Sequence, residues 1–146
     1  QDNRPDLSPL VVSILTRLET QRRTDVPLTL IQYKKGRGLE KLAEDLAREL
    51  PDIVAPALTL PEQERLEGQV TPDDIIVWCV EGGKIDVNTK DIEILIWAHD
   101  FPERKANLEA RKDAILSGVR DFLAGYDRNV SGFVWILLQP TAYGQI

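Results

Sequence analysis

The chain contains no methionine, one cysteine and one histidine. A lone Cys79 cannot close an internal disulfide, and its place within the apolar run Ile75–Val80 reads as a buried, inert thiol. His99 and Cys79 stand far apart and supply no metal-ligand spacing, so neither a metal nor another cofactor is expected. Without methionine even at position 1, Gln1 is not expected to be a translation start. No apolar stretch approaches the ~20 residues that span a bilayer. No basic segment followed by an apolar core marks a leader, and the expectation is a cytoplasmic protein. Positive charge is also scarce. Lys and Arg number 18 against 24 Asp and Glu, a net charge of −6, which argues against nucleic acid and anionic membrane surfaces as partners. A local cationic pocket for a small anion stays open. Gly36-Arg37-Gly38 lacks the glycine spacing and lysine of a phosphate loop, and no serine elbow is present.

What is present suits one body, because 146 residues with 42% hydrophobic content can bury a core. Residues 1–25 read as an extension: a polar lead-in, then Ser8 as helix cap, Pro9 in the first turn, and an apolar stripe of Leu7, Leu10, Val11, Ile14, Leu15 and Leu18 through about residue 22. Residues 26–146 form the domain, in units 26–88 and 89–146. In the first unit, Leu28–Tyr33 alternates as a half-buried strand. A helix over Leu39–Leu50 follows, with Pro51 expected to end it. A proline-marked connection holds a short helix over Pro61–Glu67. Asp74–Val80 is nearly continuously apolar and reads as a strand covered on both faces. Glu81–Lys84 turns, and Lys84–Val87 is expected to pair as a short strand.

The second unit repeats the order. Asp91–Trp97 is a strand, and a helix opening at Phe101-Pro102-Glu103 runs to about Ala124 with Leu108, Ile115, Val119 and Phe122 inward. Gly125 ends it, and Phe133–Leu138 is the last strand. Overlaying the units places Leu28, Leu30 and Tyr33 on Ile92, Ile94 and Trp97, and Asp91 on Pro27. The fold class is thus α/β (α+β): two βαβ units forming a four-stranded sheet with two helices, plus the N-terminal helix. Order alone fits two arrangements, the ferredoxin-like sandwich and one other.

Two stretches favour the other. Pro27-Leu28-Thr29-Leu30-Ile31-Gln32-Tyr33-Lys34-Lys35-Gly36-Arg37 with its helix, and the unit ending Leu138-Gln139-Pro140-Thr141-Ala142-Tyr143, resemble the tautomerase superfamily, typified by 4-oxalocrotonate tautomerase and macrophage migration inhibitory factor. The resemblance implies a homotrimer. It also implies an isomerase of small 2-oxo or enol acids whose base is the amine of an N-terminal proline, and a carboxylate-binding arginine at Arg37. Such a base works because a terminal amine titrates near 7.7–8.0 and falls further on burial. Here Pro27 is acylated by Val26, its lone pair is delocalised into the amide, and it serves as a base only in a chain that begins there. The family's second arginine would fall within Ile75-Ile76-Val77, which is apolar. Asp91, desolvated beside Trp78 or Trp97, is the substitute base to consider, with a raised pKa. Tyr33 and Trp97 are candidate substrate contacts, although the aromatic residues are most simply core or interface. The expectation is therefore a homo-oligomer that lacks proline chemistry as written and binds a small carboxylate or a partner. The alternative is an active isomerase.

Overall fold

The computed structural model describes residues 8–12 and 25–146. Ser8 opens a helical turn over residues 9–12: its Oγ accepts from the Val11 N–H at 3.2 Å, and Val12 N donates to Ser8 O. Leu10 there is 69% exposed. The remainder of the N-terminal helix expected to about residue 22 lies outside the described residues.

The elements run β1 (Leu28–Tyr33), α1 (Glu40–Leu58), two 3-10 turns (Leu66–Gly68 and Pro72–Asp74), β2 (Ile76–Glu81), β3 (Ile92–His99), α2 (Pro102–Lys105), α3 (Leu108–Leu123) and β4 (Gly132–Gln139). The sheet order is β2-β1-β3-β4. β1 pairs parallel with β2 and β3 parallel with β4, while β1 and β3 are antiparallel. Each βαβ unit therefore keeps its two strands side by side. A ferredoxin-like sheet splits its units with a strand between, so the pairing excludes it.

Thr29, Ile31 and Tyr33 of β1 face the helices together with Ile92, Ile94, Ile96 and Ala98 of β3. They pack on Leu42, Leu46, Leu50, Val54 and Leu58 of α1 and on Ile115 and Val119 of α3. Gly118 lets the helices approach, since a Cβ there would meet Ile53 Cγ2 at 2.8 Å. The antiparallel register sets Ile31 opposite Ile94 and Thr29 opposite Ile96, so any two-fold relation between β1 and β3 shifts the numbering by an odd count. That relation corrects the sequence overlay. Inward Thr29 and Ile31 correspond to inward isoleucines, not to outward Glu93 and Leu95, so the shift is odd and Asp91 does not coincide with Pro27. A one-residue error flips every side chain of a strand to the other face.

Other expectations also change. Helix α1 does not stop at Pro51 but runs through it and Pro56 to Leu58. Each interior proline costs about 3 kcal/mol. The last turns recover a comparable sum by burying Leu50, Val54 and Leu58, at about 1.5–3 kcal/mol each. Instead of a helix over Pro61–Glu67 there is a turn followed by the 3-10 segment. The Phe101–Ala124 helix is broken at Ala106–Asn107: Asn107 leaves helical geometry (φ −133°), and α3 restarts after it. Lys84–Val87 forms no strand; Ile85 and Val87 are 87% and 79% exposed.

Strand β2 is an edge strand, and it is not covered on both faces. Its Ile76, Trp78 and Val80 point away from the helices, as do Leu28 and Leu30, Leu95 and Trp97, and Phe133, Trp135 and Leu137 on the neighbouring strands. All three tryptophans lie on this open face, with Trp78 52% and Trp135 57% exposed. Cys79, read from sequence as buried, is exposed on the edge; partial desolvation, then Glu44 and Glu40, push its thiol pKa up.

Candidate functional site

The strand pairing decides which candidate residues can meet. Pro27 stands at the start of β1, where its carbonyl accepts from Ile76 N at 3.1 Å. Arg37 follows the other end of β1. Asp91 is there too, its carbonyl accepting from Lys34 N at 2.8 Å. A six-residue strand spans roughly 20 Å, so within one chain Pro27 is separated from both. Tyr33 and Trp97 sit at opposite ends of the sheet and on opposite faces.

Arg37 and Asp91 do come together. Arg37 Nε and Nη2 reach Asp91 Oδ1 and Oδ2 at 3.1 and 3.5 Å. The loop carrying Arg37 turns through Gly36 (φ +81°) and Gly38 (φ +65°), a conformation that favours glycine. Arg128 braces the loop by donating to the carbonyls of Arg37 and Gly38. Asp91 Oδ2 also accepts from Ser131 N, and Ser131 Oγ accepts from Asp91 N. Burial of Asp91 favours its neutral form. The Ser131 N–H and the Arg37 guanidinium outweigh this and hold the carboxyl below its usual range. The raised pKa expected of a base is thus absent. The group is an ionised partner for Arg37, whose fork the family resemblance assigns to substrate.

Beside this loop, Lys34, Lys35, Lys84 and Lys90 surround a cleft of about 440 Å³ with Asp86 and Glu93. Both acids are turned to the backbone: Gly83 N donates to Asp86 at 2.6 Å and Lys90 N to Glu93 at 2.9 Å. Lys35 is also paired with Glu81 at 3.5 Å, so the four lysines face three carboxylates and the cleft carries only a small excess of positive charge. Tyr33, 9% exposed, has its phenol pKa raised by desolvation first and then by Glu40 and Glu81, so it stays protonated and is no base at neutral pH.

At the Pro27 end lies a cluster that sequence reasoning missed. Arg104, with no exposed surface, donates to Asp25 Oδ1 (3.2 Å) and Oδ2 (2.6 Å), and to the carbonyls of Leu58 (2.9 Å), His99 (3.2 Å) and Gly68 (3.3 Å). Asp25 is itself 3% exposed. Two guanidiniums approach the Phe101 ring, Arg104 at 5.0 Å and Arg65 at 5.2 Å from its centre. Arg65 is held by Glu103 and Glu67. No local sequence signal could have found this cluster, because Arg104 and Asp25 stand 79 residues apart. Among the described residues, no group of three or more His, Cys, Asp and Glu side chains could hold a metal, and no helix is long and apolar enough to cross a membrane.

Fold and site together define an α/β protein of two unsplit βαβ units whose candidate ligand groups are arginines already holding internal carboxylates. This is the tautomerase-type fold that the resemblance implied, and it is carried here by the chain's own strand order and pairing. Among solved structures, the chain is similar to a 5-carboxymethyl-2-hydroxymuconate isomerase from Deinococcus radiodurans R1 (10% identity, 78% of this chain and 84% of that one, TM-score 0.49). It is similar also to a macrophage migration inhibitory factor-like protein from Entamoeba histolytica (13%, 80% and 90%, 0.47) and to a fused 4-OT wild-type symmetric trimer (21%, 81% and 90%, 0.45). No protein-family model matches the chain, and no curated protein matches it.

Proposed function

We propose that residues 26–146 act as a single tautomerase-like domain, preceded by the extension 1–25. Copies assemble as a homotrimer through the open sheet face, and the chain as written is inert in proline-based tautomerisation. The observation that carries this reading is the anchoring of the chain in front of Pro27. The proline nitrogen is an amide, and Asp25, two positions earlier, is buried on Arg104. An amide nitrogen has no basicity for proton transfer at neutral pH. Assembly is supported by the apolar open face with its three tryptophans, a contiguous surface of the kind that marks interaction sites. Three copies is the number the family resemblance implies. The reading puts a small carboxylate in the lysine-lined cleft beside the Arg37 loop, Arg37 itself being held by Asp91.

A second reading is an isomerase of small 2-oxo or enol acids with Arg37 on the substrate carboxylate. It would use Pro27 freed by cleavage or Asp91 as substitute base. The burial of Pro27 at the head of β1 favours the proline route, because burial would lower the pKa of an amine generated there. Terminal sequencing of natively expressed protein, combined with ketonisation of phenylenolpyruvate by the Arg37→Ala variant, separates the two. A chain never starting at Pro27, with rates indifferent to Arg37, supports the inert reading. A chain starting at Pro27 with Arg37-dependent turnover overturns it.

A further inference from the structure

We propose that Arg104 is a binding site for small carboxylates, and that Asp25 occupies it as a tethered internal ligand. Three of the five Arg104 N–H contacts go to main-chain carbonyls of separate segments: Leu58 at the end of α1, Gly68 in the 3-10 turn and His99 at the end of β3. These fix the guanidinium plane independently of residue 25. The edge left over is the Nη1–Nη2 fork, which meets both oxygens of Asp25, the end-on geometry by which arginine takes any carboxylate. A charge this buried is kept only when paired.

Of the groups that accept hydrogen bonds from Arg104, Asp25 alone comes from a segment without secondary structure, directly before β1. Removing it would open the fork to an adjoining cleft of about 330 Å³, lined by Phe101, His99, Thr141 and Arg65 and by two acids, Glu67 held by Arg65 and Asp100 held by Lys105. That is room for the body of a ligand whose carboxylate sits on Arg104. The position matters too. Two residues of extended chain span at most about 7 Å, so this site stands at the Pro27 end of the sheet, whereas Arg37 lies at the other. A tethered carboxylate acts at an effective concentration in the millimolar range or above, so a free one competes poorly until the tether is removed. Neither the trimer nor the lysine-lined cleft is needed for this site.

The test uses the full chain with Asp25→Gly, and sodium acetate as probe, with ionic strength held constant by sodium chloride. The expected result is an unfolding midpoint below that of the parent which rises saturably, by about 5 °C or more, as acetate replaces chloride up to 100 mM. The parent chain and the double variant Asp25→Gly/Arg104→Met should not respond. If Asp25→Gly does not fold in chloride, refolding from denaturant is compared in the two salts. Recovery in acetate alone supports the site, and recovery in neither overturns it. A folded Asp25→Gly chain that behaves identically in acetate and chloride overturns it as well.

Discussion

Replacing Arg104 by Met keeps most of the side-chain volume and deletes every donor of the buried cluster. The Asp25 carboxylate, 3% exposed, loses both of its bonds from Arg104, and the carbonyls of Leu58, Gly68 and His99 lose theirs. Breaking a buried pair from one side costs about 3–5 kcal/mol, because the remaining charge is left uncompensated. For a chain of this size 1 kcal/mol moves the midpoint by about 2–4 °C, so Arg104→Met should unfold roughly 10 °C earlier. Arg37→Met is the control. That ion pair has one side chain 51% exposed, and half-exposed pairs contribute about 0–1 kcal/mol. Urea titrations followed by tryptophan fluorescence would rank the two. Equal losses, or an Arg104→Met loss under about 1 kcal/mol, would refute the view that the Asp25 clasp fastens the chain ahead of β1.

Trp78→Glu, on the open face, should lower the oligomeric state with little loss of secondary structure, as read by light scattering on a sizing column; an unchanged mass would remove that face from assembly. Stability should fall on the acid side. Asp91 and Glu103 have carboxyl pKa values below the ordinary 3.8 and 4.5, so the stability they contribute is complete above those values and is lost as pH drops through the lower folded ones. Asp91→Asn should flatten that limb in a pH series of denaturation midpoints, and an unaltered limb would contradict the assignment. Gly118→Val should cost about 1–3 kcal/mol through the clash with Ile53, again measured in urea.

Where a side chain meets its own neighbours along the chain, the sequence was readable. The alternation of Leu28–Tyr33 gave β1, and the stripe Ile115, Val119 and Phe122 gave α3. The limits of α1 were not readable, because Pro51 and Pro56 signal a stop locally, and only the burial of Val54 and Leu58 against the sheet overrides them. The run Ile75–Val80 misled for a different reason. A strand with one face on the helices and the other open and apolar has the same composition as a strand covered by its own chain. Arg37 was singled out by the family resemblance, but its engagement with Asp91 depends on antiparallel pairing between two units. Asp25 and Arg104 carry no local pattern that joins them, since the contact spans most of the chain.

The most direct measurement is ketonisation of phenylenolpyruvate by protein whose intact mass shows the Val26–Pro27 bond uncut. The rate should equal the uncatalysed background at neutral pH. Sustained turnover by such molecules would contradict the claim that the acylated Pro27 leaves this chain without the base that the tautomerase resemblance implies.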